Sequence, residues 1–102
     1  MLGVRHQIMN RKKALSILRT EAAKYAGRRY KDLIHLIDNS INETVLGPDG
    51  AEYQIEAGAV WDDMPNGQLR LFFSIDNGGF SAYWPVSRSS LIAIGQAFDG
   101  QL

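Results

Sequence analysis

Apolar positions along the chain follow two different periods, and the change between them falls near residue 40. From Asn10 to Ala26 they recur at helical spacing: Leu15, Leu18, Ala22 and Tyr25 form one stripe, flanked by Ala14 and Ala26. Lys12, Lys13, Arg19 and Lys24 fall on the other side, and Gly27 supplies a stop. A second helix is expected from about Arg28 to Ser40, with Tyr30, Leu33, Ile34, Ile37 and Ile41 on one face and Lys31, His35 and Asp38 on the polar side. Beyond it the pattern turns to period two in segments rich in β-branched and aromatic residues, which predicts strands at about 41–46, 51–62, 69–76 and 80–86. Leu91-Ile92-Ala93-Ile94 reads as a fifth strand or a packed tail.

Three turn signals separate the strands: Pro48-Asp49-Gly50, Pro65-Asn66-Gly67 and Asn77-Gly78-Gly79. Asn77-Gly78 suits a two-residue type I′ turn, which would pair Ile75 with Phe80, Phe73 with Ala82 and Leu71 with Trp84. Pro65-Asn66-Gly67 suits a three-residue loop with Gly67 left-handed, pairing Trp61 with Leu71, Ala59 with Phe73 and Ala57 with Ile75. Both turns put Tyr53, Ile55, Ala57, Ala59, Trp61, Leu69, Leu71, Phe73, Ile75, Phe80, Ala82 and Trp84 on one face. A one-residue slip would scatter them. The expected fold class is α+β: one domain over residues 1–102, helical over 1–40 and a β-meander over 41–102. In it two N-terminal helices pack on one face of a four- to five-stranded antiparallel sheet.

The other face of that sheet is not cleanly polar, as an antiparallel sheet covered on one side would be. The expected register lines up Val60, Phe72 and Tyr83 as an apolar ridge beside a row of small residues, Gly58, Ser74 and Ser81. Asp62, Arg70 and Pro85 close one end, and Glu56, Asp76 and Gly79 the other. Two exposed aromatics on a sheet face are common, and the tail around Leu91–Ile94 could fold over them. The alternative is a contact surface in which Val60, Arg70, Phe72, Ser74 and Tyr83 meet another copy, a small ligand or a partner protein. A two-fold dimer could seat each ridge in its mate's trough.

Charge adds a second candidate surface. The chain carries 11 Lys and Arg against 11 Asp and Glu. Residues 1–39 hold nine of the cations and three of the acids (+6), residues 40–102 two cations and eight acids (−6). Such asymmetry marks either a basic arm for nucleic acid or basic helices resting on an acidic sheet, within one chain or across a dimer; the close cancellation favours the second. Arg11, Lys12 and Lys13 fall in what should be the first helical turn, where positive charge opposes the helix dipole. Either the helix begins nearer Arg5 or an anion compensates, a phosphate or the acidic sheet of a neighbouring subunit. No DNA-binding motif, aromatic RNA-binding signature or zinc finger accompanies them.

Candidate chemistry is sparse. Adjacent Asp62 and Asp63 point to opposite faces of a strand and cannot converge as an acid–base dyad; Asp62 is expected opposite Arg70 as a cross-strand ion pair. His35 and Asp38 could supply two metal ligands but have no third. Ser87, Ser89 and Ser90 lack a nucleophile elbow, and the glycine clusters lie in hairpins rather than between a strand and a helix. An enzyme would need a pocket joining Asp62, Arg70 and Asp76. No cofactor or metal is called for. With no cysteine, thiol chemistry and disulfides are excluded and a reducing compartment is compatible. No apolar stretch at the N-terminus suits a signal peptide and none spans a bilayer, so a cytoplasmic protein with no membrane partner is expected.

Within residues 52–100 the run Tyr53-Gln54-Ile55-Glu56, Trp61-Asp62-Asp63, Pro65-Asn66-Gly67, Leu69-Arg70, Ser74-Ile75-Asp76-Asn77-Gly78-Gly79, Pro85 and Asp99-Gly100 resembles a family of small uncharacterised bacterial proteins. The chain has Asn77 where that pattern has a second Asp and Phe80 where it has Trp, which implies a distant member. It also resembles orphan proteins carried on mobile gene cassettes, which implies bacterial origin and an accessory role. The resemblance brings no activity with it. The expected function is therefore that of a non-enzymatic binding or regulatory protein, a homo-oligomer through the free sheet face. A nucleic-acid-binding accessory protein is the alternative.

Overall fold

The first helix, α1 (Arg11–Ala23), is capped by Asn10, whose side chain accepts from the Lys13 N–H at 3.1 Å. A computed structural model describes residues 9–48, 50–79 and 84–102. In it α1 buries Ala14, Leu18 and Ala22, while Leu15 and Tyr25 are half-buried flanks. The buried line is thus centred slightly off the expected Leu15–Leu18–Ala22–Tyr25 stripe. Two alanines at i and i+8 present little bulk, so the helix can approach the sheet with only Leu18 projecting between them. The chain tightens after Ala23 through i→i+3 bonds from Lys24, Tyr25 and Ala26, and Gly27 takes a left-handed φ of +87°.

The second helix is much shorter than its apolar pattern suggests. Only α2 (Tyr30–Leu33) is α-helical, continued by a 3₁₀ turn over Ile34–Leu36. The reason is non-local. Residues 28–30 are claimed by the C-terminal segment: Phe98 N–H bonds Arg28 C=O at 2.9 Å, Tyr30 N–H bonds Gln96 C=O at 2.8 Å, and Arg29 bridges Ala97. At the far end Ile37 is extended and bridges Ala59, and Asp38 adopts φ +62°. The buried residues are Leu33 and Leu36, with Tyr30, Ile34 and Ile37 packed at their margin.

Four antiparallel strands follow in the order β1-β2-β3-β4: β1 (Ile41–Leu46), β2 (Glu52–Trp61), β3 (Leu69–Asp76) and β4 (Val86–Ile92). The expected bounds of β1 and β3 match, but both expected hairpin registers are wrong. Trp61 pairs with Leu69, Ala59 with Leu71, Ala57 with Phe73 and Ile55 with Ile75, a displacement of two residues. The loop is not the three-residue Pro-Asn-Gly turn: Asp62 N–H bonds Gln68 C=O at 2.9 Å, and Asn66 rather than Gly67 is left-handed, at φ +68°. Because side chains alternate with period two, a two-residue displacement keeps every residue on its face.

The second hairpin differs more deeply. A type I′ turn needs positive φ at both central residues, whereas Gly78 has φ +79° and Asn77 does not share it. The strand beside β3 is instead β4, pairing Ile75 with Val86, Phe73 with Arg88, Leu71 with Ser90 and Leu69 with Ile92. Of the expected partners, Phe80 and Ala82 lie outside the described residues, and Trp84 stands outside the strands, 70% exposed. Leu91 and Ile92 belong to β4, and no fifth strand occurs among the described residues.

One core lies between α1 with the residue 30–36 turns and the apolar face of the sheet. Phe73 is at its centre, with Tyr25 edge-on at 5.2 Å between ring centroids and Phe98 tilted against it at 5.8 Å. Phe98, from the tail, is as fully buried as the strand residues. Expected core residue Trp61 is only half-buried, beside Tyr30, whose hydroxyl donates to Gly67 C=O at 2.8 Å.

Candidate functional site

The free face of the sheet carries the even-numbered residues of β1, β2 and β3 and the odd-numbered ones of β4. The tail does not cover it, since residues 96–98 pair with 28–30 and Phe98 enters the core on the opposite side. Tyr83 and Ser81, expected on this face, lie outside the described residues. Val60 and Phe72 do not share a cross-strand row: Val60 faces Arg70, and Phe72 faces Gly58 on one side and Ser89 on the other. The ridge is therefore diagonal, with Val60 47% and Leu91 42% exposed on either side of Arg70.

The expected small-residue trough is also altered. Gly58 is buried because the Phe72 ring occupies the space above it, an aromatic covering a strand glycine. Ser74 faces Ser87, and their hydroxyls stand 2.9 Å apart. Asp62 and Arg70 are paired as expected, the guanidinium donating twice to Oδ1 (Nη2 at 2.7 Å, Nε at 3.0 Å), but across the loop mouth rather than as register partners. Arg70 Nη1 also donates to Ser89 Oγ at 2.9 Å, so one side chain spans three segments of the free face. Asp76 accepts from Gly78 N–H at 2.8 Å and so shapes the turn. Six positions separate Arg70 from Asp76 on β3, about 20 Å at 3.3 Å per residue, so among the described residues Asp62 and Arg70 stand well apart from Asp76.

Beside Val60, where β1 ends short of β2, a groove of about 600 Å³ opens. Ile37, Val60, Trp61 and Phe72 form its apolar walls, and Asp38, Ser40 and Glu56 its polar rim. A smaller hollow of about 170 Å³ lies over Asn42, Gln54, Ser74 and Asp76. This groove, built partly from the left-handed turn at Asp38, had no signal in the strand pattern; it depends on where the residue 34–40 segment meets β2.

Of the acidic side chains in the strands, only Glu43 stands on the helix side, near Lys24 and Tyr25. Glu52, Glu56 and Asp76 occupy free-face positions, opposite the side on which α1 packs. Within the chain, helix and sheet charge therefore meet only in part, through Glu43 near Lys24. Arg11 donates to Trp84 C=O at 3.2 Å, while Lys12 and Lys13 extend from the helix surface. The helix begins at Arg11 with no acid in its first turn, so its early cations remain uncompensated from within α1. Lys24 pairs with Glu21 at 2.9 Å, and that hydrogen bond and charge raise its pKa. Burial is the main cause raising the Tyr25 pKa; Arg28, stacked on its ring at 4.1 Å, opposes this, and Glu43 adds to it.

Among the described residues no three His, Cys, Asp or Glu side chains are grouped to hold a metal ion, and no helix is long and apolar enough to cross a membrane. No protein-family model matches the chain, and neither a curated protein nor a solved structure does.

Proposed function

We propose that the chain is a non-enzymatic binding protein that self-associates through the free face of its sheet. The observation that carries this reading is the exposed end of that face, where Val60 and Leu91 flank Arg70, Phe72 lies in the next row and the groove beside β2 opens. Apolar groups of this kind in contact with water favour burial against a partner. A second copy suits the face because its two ends differ: Val60, Phe72 and Leu91 lie toward one, Glu52 and Asp76 at the other, with the row Glu56–Ser74–Ser87 between. A two-fold rotation brings the Arg70 end of each copy toward the carboxylates Glu56 and Asp76 of its mate and covers the exposed Val60 and Leu91 side chains. A foreign protein or a small ligand in the groove is the competing occupant. An enzyme is disfavoured by the separation of Asp62, Arg70 and Asp76. A bacterial accessory role, implied by the sequence resemblance, and a cytoplasmic location, compatible with the absence of cysteine, accompany this reading.

The test is solution mass by light scattering at low and high salt, for the wild type and for Val60→Arg/Leu91→Arg. These two side chains are chosen over Phe72 because Phe72 also covers Gly58. A salt-resistant oligomer that becomes a folded monomer in the variant supports the interface; a wild-type monomer, or an oligomer unchanged in the variant, refutes it.

A further inference from the structure

Eight of the 11 Lys and Arg side chains lie between residues 11 and 31, and every one of them is exposed. On α1, Lys12, Ser16 and Arg19 follow one line at i, i+4 and i+7, and Lys13, Thr20 and Lys24 run beside it, on the side away from Leu18. Lys12, Lys13 and Arg19 have no side-chain hydrogen bond or ion pair among the described residues, whereas Lys24 is held by Glu21. Glu21 is the one acid on α1, and it engages Lys24 at the strip's end, leaving Lys12, Lys13 and Arg19 without an acid on the helix.

We propose that this outer side of α1 binds the phosphate backbone of a nucleic acid without reading its sequence. Its composition decides between the polyanions that could meet it. Protein interfaces deplete lysine and gather aromatic anchors, but this strip offers only cations, two hydroxyl residues and alanine. Lys, Arg, Ser and Thr are the side chains that contact phosphate and sugar. Lys13 and Lys24 stand about 16 Å apart along the axis, which matches about five nucleotides of a stacked strand at 3.4 Å each. The carboxylates Glu52, Glu56 and Asp76 on the far side of the sheet repel the same ligand and so favour the helix side. The absence of aromatic side chains from the strip removes base stacking and leaves a contact governed by counterion release.

The test is fluorescence anisotropy with labelled single-stranded and duplex oligonucleotides of mixed sequence, titrated from about 50 to about 200 mM salt. The wild type is expected to bind at the lower salt and weaken steeply toward the higher. Lys12→Glu/Lys13→Glu/Arg19→Glu is expected to abolish binding with its helix content intact, and Lys12→Arg/Lys13→Arg/Arg19→Lys to retain it. Changing a single one of these cations to Gln should reduce the slope of log affinity against log salt by about 0.7–0.9. No binding of either probe at the lower salt, or binding undiminished in the charge-reversed variant, overturns the proposal. So does a wild type that ignores oligonucleotides yet forms a salt-sensitive oligomer dispersed by the charge reversal; the strip would then meet the acidic face of a second copy.

Discussion

The side chain of Phe72 on β3 lies over Gly58, its register partner on β2, so closely that a Cβ at position 58 would stand 2.8 Å from Cε1 of the ring. The glycine is required for that space and not for its backbone, since its φ is not left-handed. Gly58→Ala is therefore expected to displace the ring toward the groove and to destabilise the fold by about 1–3 kcal/mol, as overpacking does. Urea unfolding with an unchanged m-value checks this; a neutral or stabilised variant would show that the ring is not seated on the glycine.

Phe98 joins the last residues of the chain to the centre of the core through Phe73. Phe98→Ala removes a fully buried ring, for which a loss of about 3–5 kcal/mol is expected. The same change should loosen residues 28–30, which exchange backbone bonds with 96–98. Hydrogen exchange at the Tyr30 and Phe98 amides reads that coupling directly. Unaltered protection there would separate the ring from the pairing.

The Asp62–Arg70 pair is prominent on the free face but remains partly in water, with side-chain exposures of 25% and 41%. Ion pairs in such surroundings contribute about 0–1 kcal/mol. Asp62→Asn should accordingly cost less than about 1 kcal/mol and show little salt dependence in thermal unfolding. A larger loss would mean that the pair organises the Asp62–Gln68 loop beyond its own attraction.

Tyr25 supplies a pH prediction. Its pKa in the folded protein is raised above its ordinary value near 10, by burial first and by Glu43 and Glu21 in addition. The folded state therefore holds the phenolic proton more tightly than the unfolded chain does. Its contribution is complete below the ordinary tyrosine pKa and is lost as pH rises through the higher folded value. Denaturant midpoints should fall in this alkaline range, and Tyr25→Phe should remove part of the fall. An identical alkaline profile in the variant would assign the loss to other groups.

Several elements follow from local pattern. The Asn10 cap and the run from Ala14 to Ala22 specify α1 with little outside help. The β1 and β3 bounds, and the face on which Tyr53, Ile55, Leu71, Phe73 and Ile75 are buried, can be read from period-two alternation. The same alternation is blind to displacement by two residues, which is why Ala57 meets Phe73 rather than Ile75 with the buried face unchanged. The candidate site was legible only in parts: Val60 and Arg70 are on the free face as the parity implies, but the groove beside them is not encoded in any single segment.

Everything that required two distant segments was decided by the tertiary structure. Asn77 has an ordinary φ, so the expected tight turn does not form there, and the partner of β3 is residues 86–92. The apolar run after Arg28 cannot stay helical throughout because its first residues bond to Gln96 and Phe98. Which strand acids face away from the basic helix, Glu52, Glu56 and Asp76, depends on which side of the sheet α1 covers. Sequence alone determined which residues seek burial and with what local period, because those are properties of side chains and their neighbours. Which buried residues meet, and which charges are left facing water, followed only from closing the chain, because those energies belong to contacts between segments far apart along it.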